Sequence, residues 1–135
     1  MPKARPDFEA QLDAWEHQLD GGWTVLAGRT DRDKRPVEPA RRAAERLWFH
    51  VKGMPGSHVV LRTEGRDPDR TTLEAAAAVA AYYSKARSGG VVAVNGCLAR
   101  FVSKPRGAKP GTVEIRKDRV FKVRPRLPDA GPEDP

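Results

Sequence analysis

The stretch TTLEAAAAVAAYYSKARSGG, Thr71 to Gly90, constrains this chain more than any other. Alanine is the best helix former. Thr71 and Glu74 stand at capping-box spacing, basic residues fall near the end, and Gly89-Gly90 supply a stop. The pattern predicts a helix opening at Thr71. Its methyl-sized side chains give it a thin, smooth face that can approach a sheet closely, so its role is read as structural.

What flanks the helix reads mostly as strand. WTVLAG (23–28), LWFHVK (47–52), SHVVLRT (57–63), VVAVN (91–95), LARFVSK (98–104), GTVEIRK (111–117) and RVFKVRP (119–125) are short, apolar or alternating, and bounded by turn residues. Asn95-Gly96 reads as a turn. Residues 1–20 read as an N-terminal helical extension, because Phe8, Leu12, Trp15 and Leu19 recur at helical spacing and Asp20-Gly21-Gly22 would end it. Pro36 to Arg46 reads as a second short helix. The order α-β-α-ββ-α-ββββ predicts a single α+β domain over 21–125, a largely antiparallel sheet with the alanine-rich helix packed on it. Residues 126–135 read as a disordered tail.

Composition narrows the function classes. A chain of 135 residues fits one domain. No apolar run approaches membrane-helix length, and MPKARPDFEAQLDAW has no signal-peptide core, so a cytoplasmic protein is expected. Cys97 is the single cysteine, which excludes an internal disulfide and leaves any metal to His and carboxylates. The formal net charge is +7. From Arg100 to Arg126 ten basic residues face only Glu114 and Asp118, so this segment carries +8 and the rest of the chain −1. Charge this lopsided points to an anionic partner, nucleic acid before others.

Two groups of residues are candidates for a site. The first lies in LWFHVKGMPGSHVVLR, with Trp48, His50, Pro55, Gly56, Ser57 and His58. A tight type II turn centred on Pro55-Gly56 would set His50 opposite Leu61 and His58 opposite Gly53, on opposite faces. That register, conditional on the loop length, argues against a shared metal or an acid–base pair. Ser57 beside His58 lacks a nucleophile elbow. Turn shape is its first reading, a phosphate held by turn amides and the Ser57 hydroxyl the second, catalysis a distant third. His17 reads as incidental. The second group is basic: Arg100, Lys104, Arg106, Lys109, Arg116 and Lys122. Prolines and glycines keep 105–111 non-helical, and loop cations can follow a phosphate backbone without reading bases. Phe101 and Phe121 interleave with these cations and could stack on bases, although aromatics at such positions are more often core. Asp31, Asp33, Asp67 and Asp69 lack EF-hand spacing. No P-loop, dinucleotide fingerprint or zinc spacing is present, so no enzyme activity, cofactor or metal is expected.

Several of these stretches resemble the NFACT-R domain, the RNA-binding module of RqcH-type ribosome quality control factors, some of which have been labelled fibronectin-binding proteins. LWFHVKGMPGSHVVLR is similar to its W-x-H…P-G-S-H-V-V signature, LEAAAAVAAYYSKAR to its alanine-rich helix, and ARFVSKPRGAKPGTVEI to its basic V-x-K-x-x-G-x-K-P-G-x-V element. GGWTVLAGR and VFKVRP resemble its opening and closing strands, so the likeness runs in order over roughly 21–125. Two departures stand out. TDRDKRP follows Gly28-Arg29 where the family carries an Asn-Asp pair, and Arg46 stands where it carries Asp. The additional domains of full-length members do not fit in this length, so a stand-alone NFACT-R protein is expected. The resemblance implies binding of tRNA or rRNA, at the large ribosomal subunit or beside an RNA-modifying enzyme. The alternatives are an RNA-processing enzyme using His50 or His58, and a protein-interaction adaptor.

Overall fold

The computed structural model describes residues 14–28, 46–103, 107 and 113–128. Its centre is a six-stranded sheet in which, by residue range, 14–19 lies beside 23–28, then 59–62, 47–51, 92–98 and 119–123, with every neighbouring pair antiparallel. The strands are β1 (Ala14–Leu19), β2 (Trp23–Gly28), β3 (Leu47–Val51), β4 (Val59–Arg62), β5 (Val92–Leu98) and β8 (Arg119–Val123). Two short strands, β6 (Val102–Ser103) and β7 (Glu114–Ile115), form a separate ribbon. The helix α1 (Arg70–Tyr82) joins β4 to β5 and is the one α-helix among the described residues. This is the α+β domain that the sequence pattern predicts.

Helix and sheet fit because the mostly alanine face of the helix leaves room for the larger side chains of the sheet. Leu73, Ala76, Ala77, Val79, Ala80 and Ala81 turn inward from α1. They meet Val25, Ala27, Phe49, Val51, Val59, Leu61, Val94 and Phe121, which share one face of the sheet by strand alternation. The helix begins two residues earlier than the capping box implies. Asp69 is the N-cap, and its carboxylate accepts from the Thr72 amide at 2.9 Å. It also ends earlier, at Tyr82, so Lys85 and Arg87 lie beyond its last turn.

Two elements differ from the sequence reading. Ala14–Leu19 is a strand, not the end of a helix, and pairs with β2 along its whole length. Trp15, His17 and Leu19 alternate with Glu16 and Gln18, so this stretch satisfies both periods, and the Gly21-Gly22 turn decides for a hairpin. Both glycines take positive φ, 96° and 81°. Arg66 pins that turn, donating to the Gly21 and Gly22 carbonyls while its guanidinium lies 3.8 Å over the Trp23 ring. The expected helices over 1–13 and 36–45 lie outside the described residues.

The second difference is Asn95-Gly96, which is no turn. β5 runs straight through it. The glycine serves packing: a Cβ there would stand 2.9 Å from ring atoms of both Phe49 and Phe121.

Candidate functional site

The register of β3 and β4 brings the two histidines together. Leu47 pairs with Leu61, Trp48 with Val60 and Phe49 with Val59, so the connection is longer than a tight turn. This overturns the expected register, and with it the expectation that His50 and His58 face opposite sides. Their rings stand 5.0 Å apart, centroid to centroid, on the sheet face away from α1. The glycine at positive φ is Gly53, at 78°, rather than Gly56. Gly56 is required for a close approach instead: a Cβ there would lie 2.9 Å from Val51 Cγ1 and 3.1 Å from Ser84 Cβ.

The indole of Trp48 organises the pair. Its Nε1–H donates to His58 Nδ1 at 3.0 Å, which fixes His58 as an acceptor at that atom. The Trp48 ring stacks on His50, the two planes 3° from parallel. Both nitrogens of His50 face backbone carbonyls, Nδ1 that of Val51 at 2.6 Å and Nε2 that of Gly56 at 3.1 Å. His50 thereby ties the loop back to its own strand. The loop is tied a second time: the Ser57 amide donates to the Tyr83 carbonyl at 3.0 Å, and Gly56 bridges Ser84. The Ser57 amide is therefore spent within the protein. This removes it from the phosphate cradle that the sequence left open as a second reading, while Pro55 is exposed.

His17, read as incidental, has a structural role. It is buried, and its Nε2 lies 2.8 Å from the Tyr83 hydroxyl. Trp15 stacks on the same Tyr83 ring at 4.5 Å. The end of α1 is thus held by β1 on one side and by the 52–57 loop on the other. The alternation of Trp15 and His17 carried this signal, once read as strand.

The basic residues collect at the other side of the sheet. β8 is an edge strand, and Arg119, Lys122 and Arg124 along it are exposed. Lys122 pairs with Ala93 and Val120 with Asn95, which in turn pairs with His50. By alternation Lys122 shares the helix-free face with the histidines. Arg100 and Arg116 lie where β5 gives way to the β6–β7 ribbon, and both stand near the Phe101 ring, at 5.3 and 5.1 Å. Lys117, which site reasoning from the sequence passed over, joins them at 5.3 Å. Lys104, Arg106 and Lys109 lie outside the described residues. Asp118, the acidic residue amid these cations, accepts from the Asn95 amide at 2.7 Å. Burial first, and Asp118 second, push the Cys97 thiol up to about 11, so this cysteine is no nucleophile at neutral pH.

The two aromatics of the basic segment part company. Phe121 is buried against Phe49 in the core. Phe101 is partly exposed and outside the core cluster. Among the described residues no group of three or more His, Cys, Asp or Glu side chains is placed to hold a metal, and no helix is long and apolar enough to cross a membrane.

No family model matches the chain. It is 38% identical over 109 residues to the Rqc2 homolog RqcH of Bacillus subtilis (strain 168), covering 81% of this chain and 19% of that protein. To the Rqc2 homolog RqcH of Streptococcus suis (strain 05ZYH33) it is 39% identical over 108 residues, covering 78% and 19%. The chain therefore spans about a fifth of the length of these relatives. Among solved structures, that of the C-terminal part of the fibronectin/fibrinogen-binding protein from Streptococcus suis superposes with a TM-score of 0.75 at 34% identity, over 84% of this chain and 46% of that one. Sequence and fold agree, and the chain is thus a relative of the RqcH proteins, matching a module at their C-terminal end.

Proposed function

We propose that this chain is a cytoplasmic RNA-binding module serving translation, with tRNA or rRNA as its ligand and ribosome quality control as its setting. The observation that carries this is the concentration of cations in β8 and the segments that flank it. Arg116, Lys117, Arg119, Lys122 and Arg124 are all exposed, and none forms an ion pair with a described residue. A surface meant only for solubility mixes both signs. Over 116–124 five cations face a single acid, Asp118, and such an excess beside an edge strand suits a phosphate backbone. Kinship with the RqcH proteins supports the setting, and the large ribosomal subunit or an RNA-modifying enzyme would be the larger partner. The 53–58 hairpin would orient this surface rather than perform chemistry: the His50 ring lies between the Val51 and Gly56 carbonyls, and His58 Nδ1 accepts from Trp48.

Crosslinking in cells, followed by sequencing of the attached RNA, tests the proposal. Enrichment of one tRNA or one large-subunit rRNA region is expected. Recovery no higher than from a Lys122→Glu/Arg124→Glu protein would refute it, and nuclease-resistant capture of a protein would favour an adaptor. RNA should also stay intact when incubated with the protein. Cleavage abolished by both His50→Ala and His58→Ala would favour an enzyme.

A further inference from the structure

Phe101 sits where the chain leaves β5 through the short 3-10 turn Ala99–Phe101 and enters β6. Its carbonyl accepts from the Arg116 amide at 3.1 Å, which extends the β6–β7 ladder by one step and sets Phe101 across from Arg116. Around the ring stand Arg100 at 5.3 Å, Arg116 at 5.1 Å and Lys117 at 5.3 Å. They come from two segments remote in sequence, so the fold gathers them. All three are exposed, and none forms an ion pair with a described residue.

This arrangement needs an explanation. Exposed cation–π contacts are weak, and three like charges around one ring repel one another. Lys117 adds a backbone cost, because its φ of 53° is a left-handed position that glycine or asparagine usually fills. An anion among the three cations would offset their repulsion. Phe101 is partly exposed, and cations drawn from over its ring onto such an anion would uncover an apolar face at stacking height. Phosphate beside an aromatic face is how proteins commonly hold an unpaired nucleotide.

We infer that Arg100, Arg116 and Lys117 form a phosphodiester clamp around Phe101, and that the site takes an unpaired nucleotide of RNA, its phosphates on the cations and its base on the ring. This rests on the RNA-binding reading and adds a preference for single-stranded over duplex RNA at one point of the surface. The β8 cations would then follow the backbone away from that point.

The test compares a short single-stranded RNA of mixed sequence with the same sequence in a blunt duplex, by fluorescence anisotropy with the full chain. The wild type should prefer the single strand. Phe101→Leu should weaken single-strand binding about tenfold and leave duplex binding unchanged. Phe101→Trp should keep the preference, which also separates loss of stacking from loss of folding. Arg116→Glu should weaken both ligands. Equal affinity of the wild type for both RNAs, or a Phe101→Leu protein weakened equally toward both, would overturn the inference while leaving RNA binding in place. Failure of the wild type to bind either RNA would overturn the RNA-binding reading, and the inference with it.

Discussion

Single side chains decide much of this structure, and two of them can be tested by small changes. Gly96 lies under Phe49 and Phe121, where a Cβ would approach ring atoms to 2.9 Å. Gly96→Ala should therefore destabilise the fold by about 1–3 kcal/mol through overpacking, read as a lower denaturant midpoint at unchanged m-value. The sequence pair Asn95-Gly96 looks like a hairpin turn because the same dipeptide serves both purposes locally, and only the aromatic rings across the sheet distinguish them. Trp48 shows the reverse case. Its place in the hairpin is legible from sequence, but its hydrogen bond to His58 is not, because that bond depends on register. Trp48→Phe keeps a smaller aromatic ring and removes the donor. It should cost about 1 kcal/mol in chemical denaturation and shift the His58 ring resonances in nitrogen NMR. Unchanged resonances would mean that the indole does not hold His58.

At the scale of elements, α1 and the strands around it follow from composition and alternation. The ends do not. Asp69 rather than Thr71 caps the helix, and its carboxyl is held below the usual 3.8 chiefly by the Thr72 backbone amide, with the Thr72 side chain second. A carboxyl with a depressed folded pKa contributes stability above its unfolded pKa, and that contribution fades as pH falls through the folded value. Asp69→Ala should accordingly lower the unfolding midpoint at pH 7. The gap between wild type and variant should narrow below about pH 4, as thermal scans across acid pH would show. A gap of constant size would mean that charge at residue 69 plays no part. The Ala14–Leu19 strand and the β3–β4 register escaped sequence reading for a shared reason. Six residues fit two periods, and a shift of three residues in pairing reverses which face each histidine occupies. Loop length, which no local pattern fixes here, settled the second.

For the molecule as a whole, the helix closes one face of the sheet. Trp48, His50, His58 and Lys122 lie on the other, with an excess of cations at and beside the β8 edge. The excess charge of the C-terminal quarter was plain in the sequence. What the sequence left unread was its layout: which cations meet at Phe101, and which line an edge strand.

The proposed function requires that this edge bind RNA through phosphates. Binding of a tRNA at a series of salt concentrations, for the wild type and for Arg119→Glu/Lys122→Glu/Arg124→Glu, tests it most directly. For a phosphate-binding edge, log K should fall linearly with log salt, and the variant should lose affinity and flatten the slope by about 2–3. A variant with the wild-type slope and affinity would contradict it.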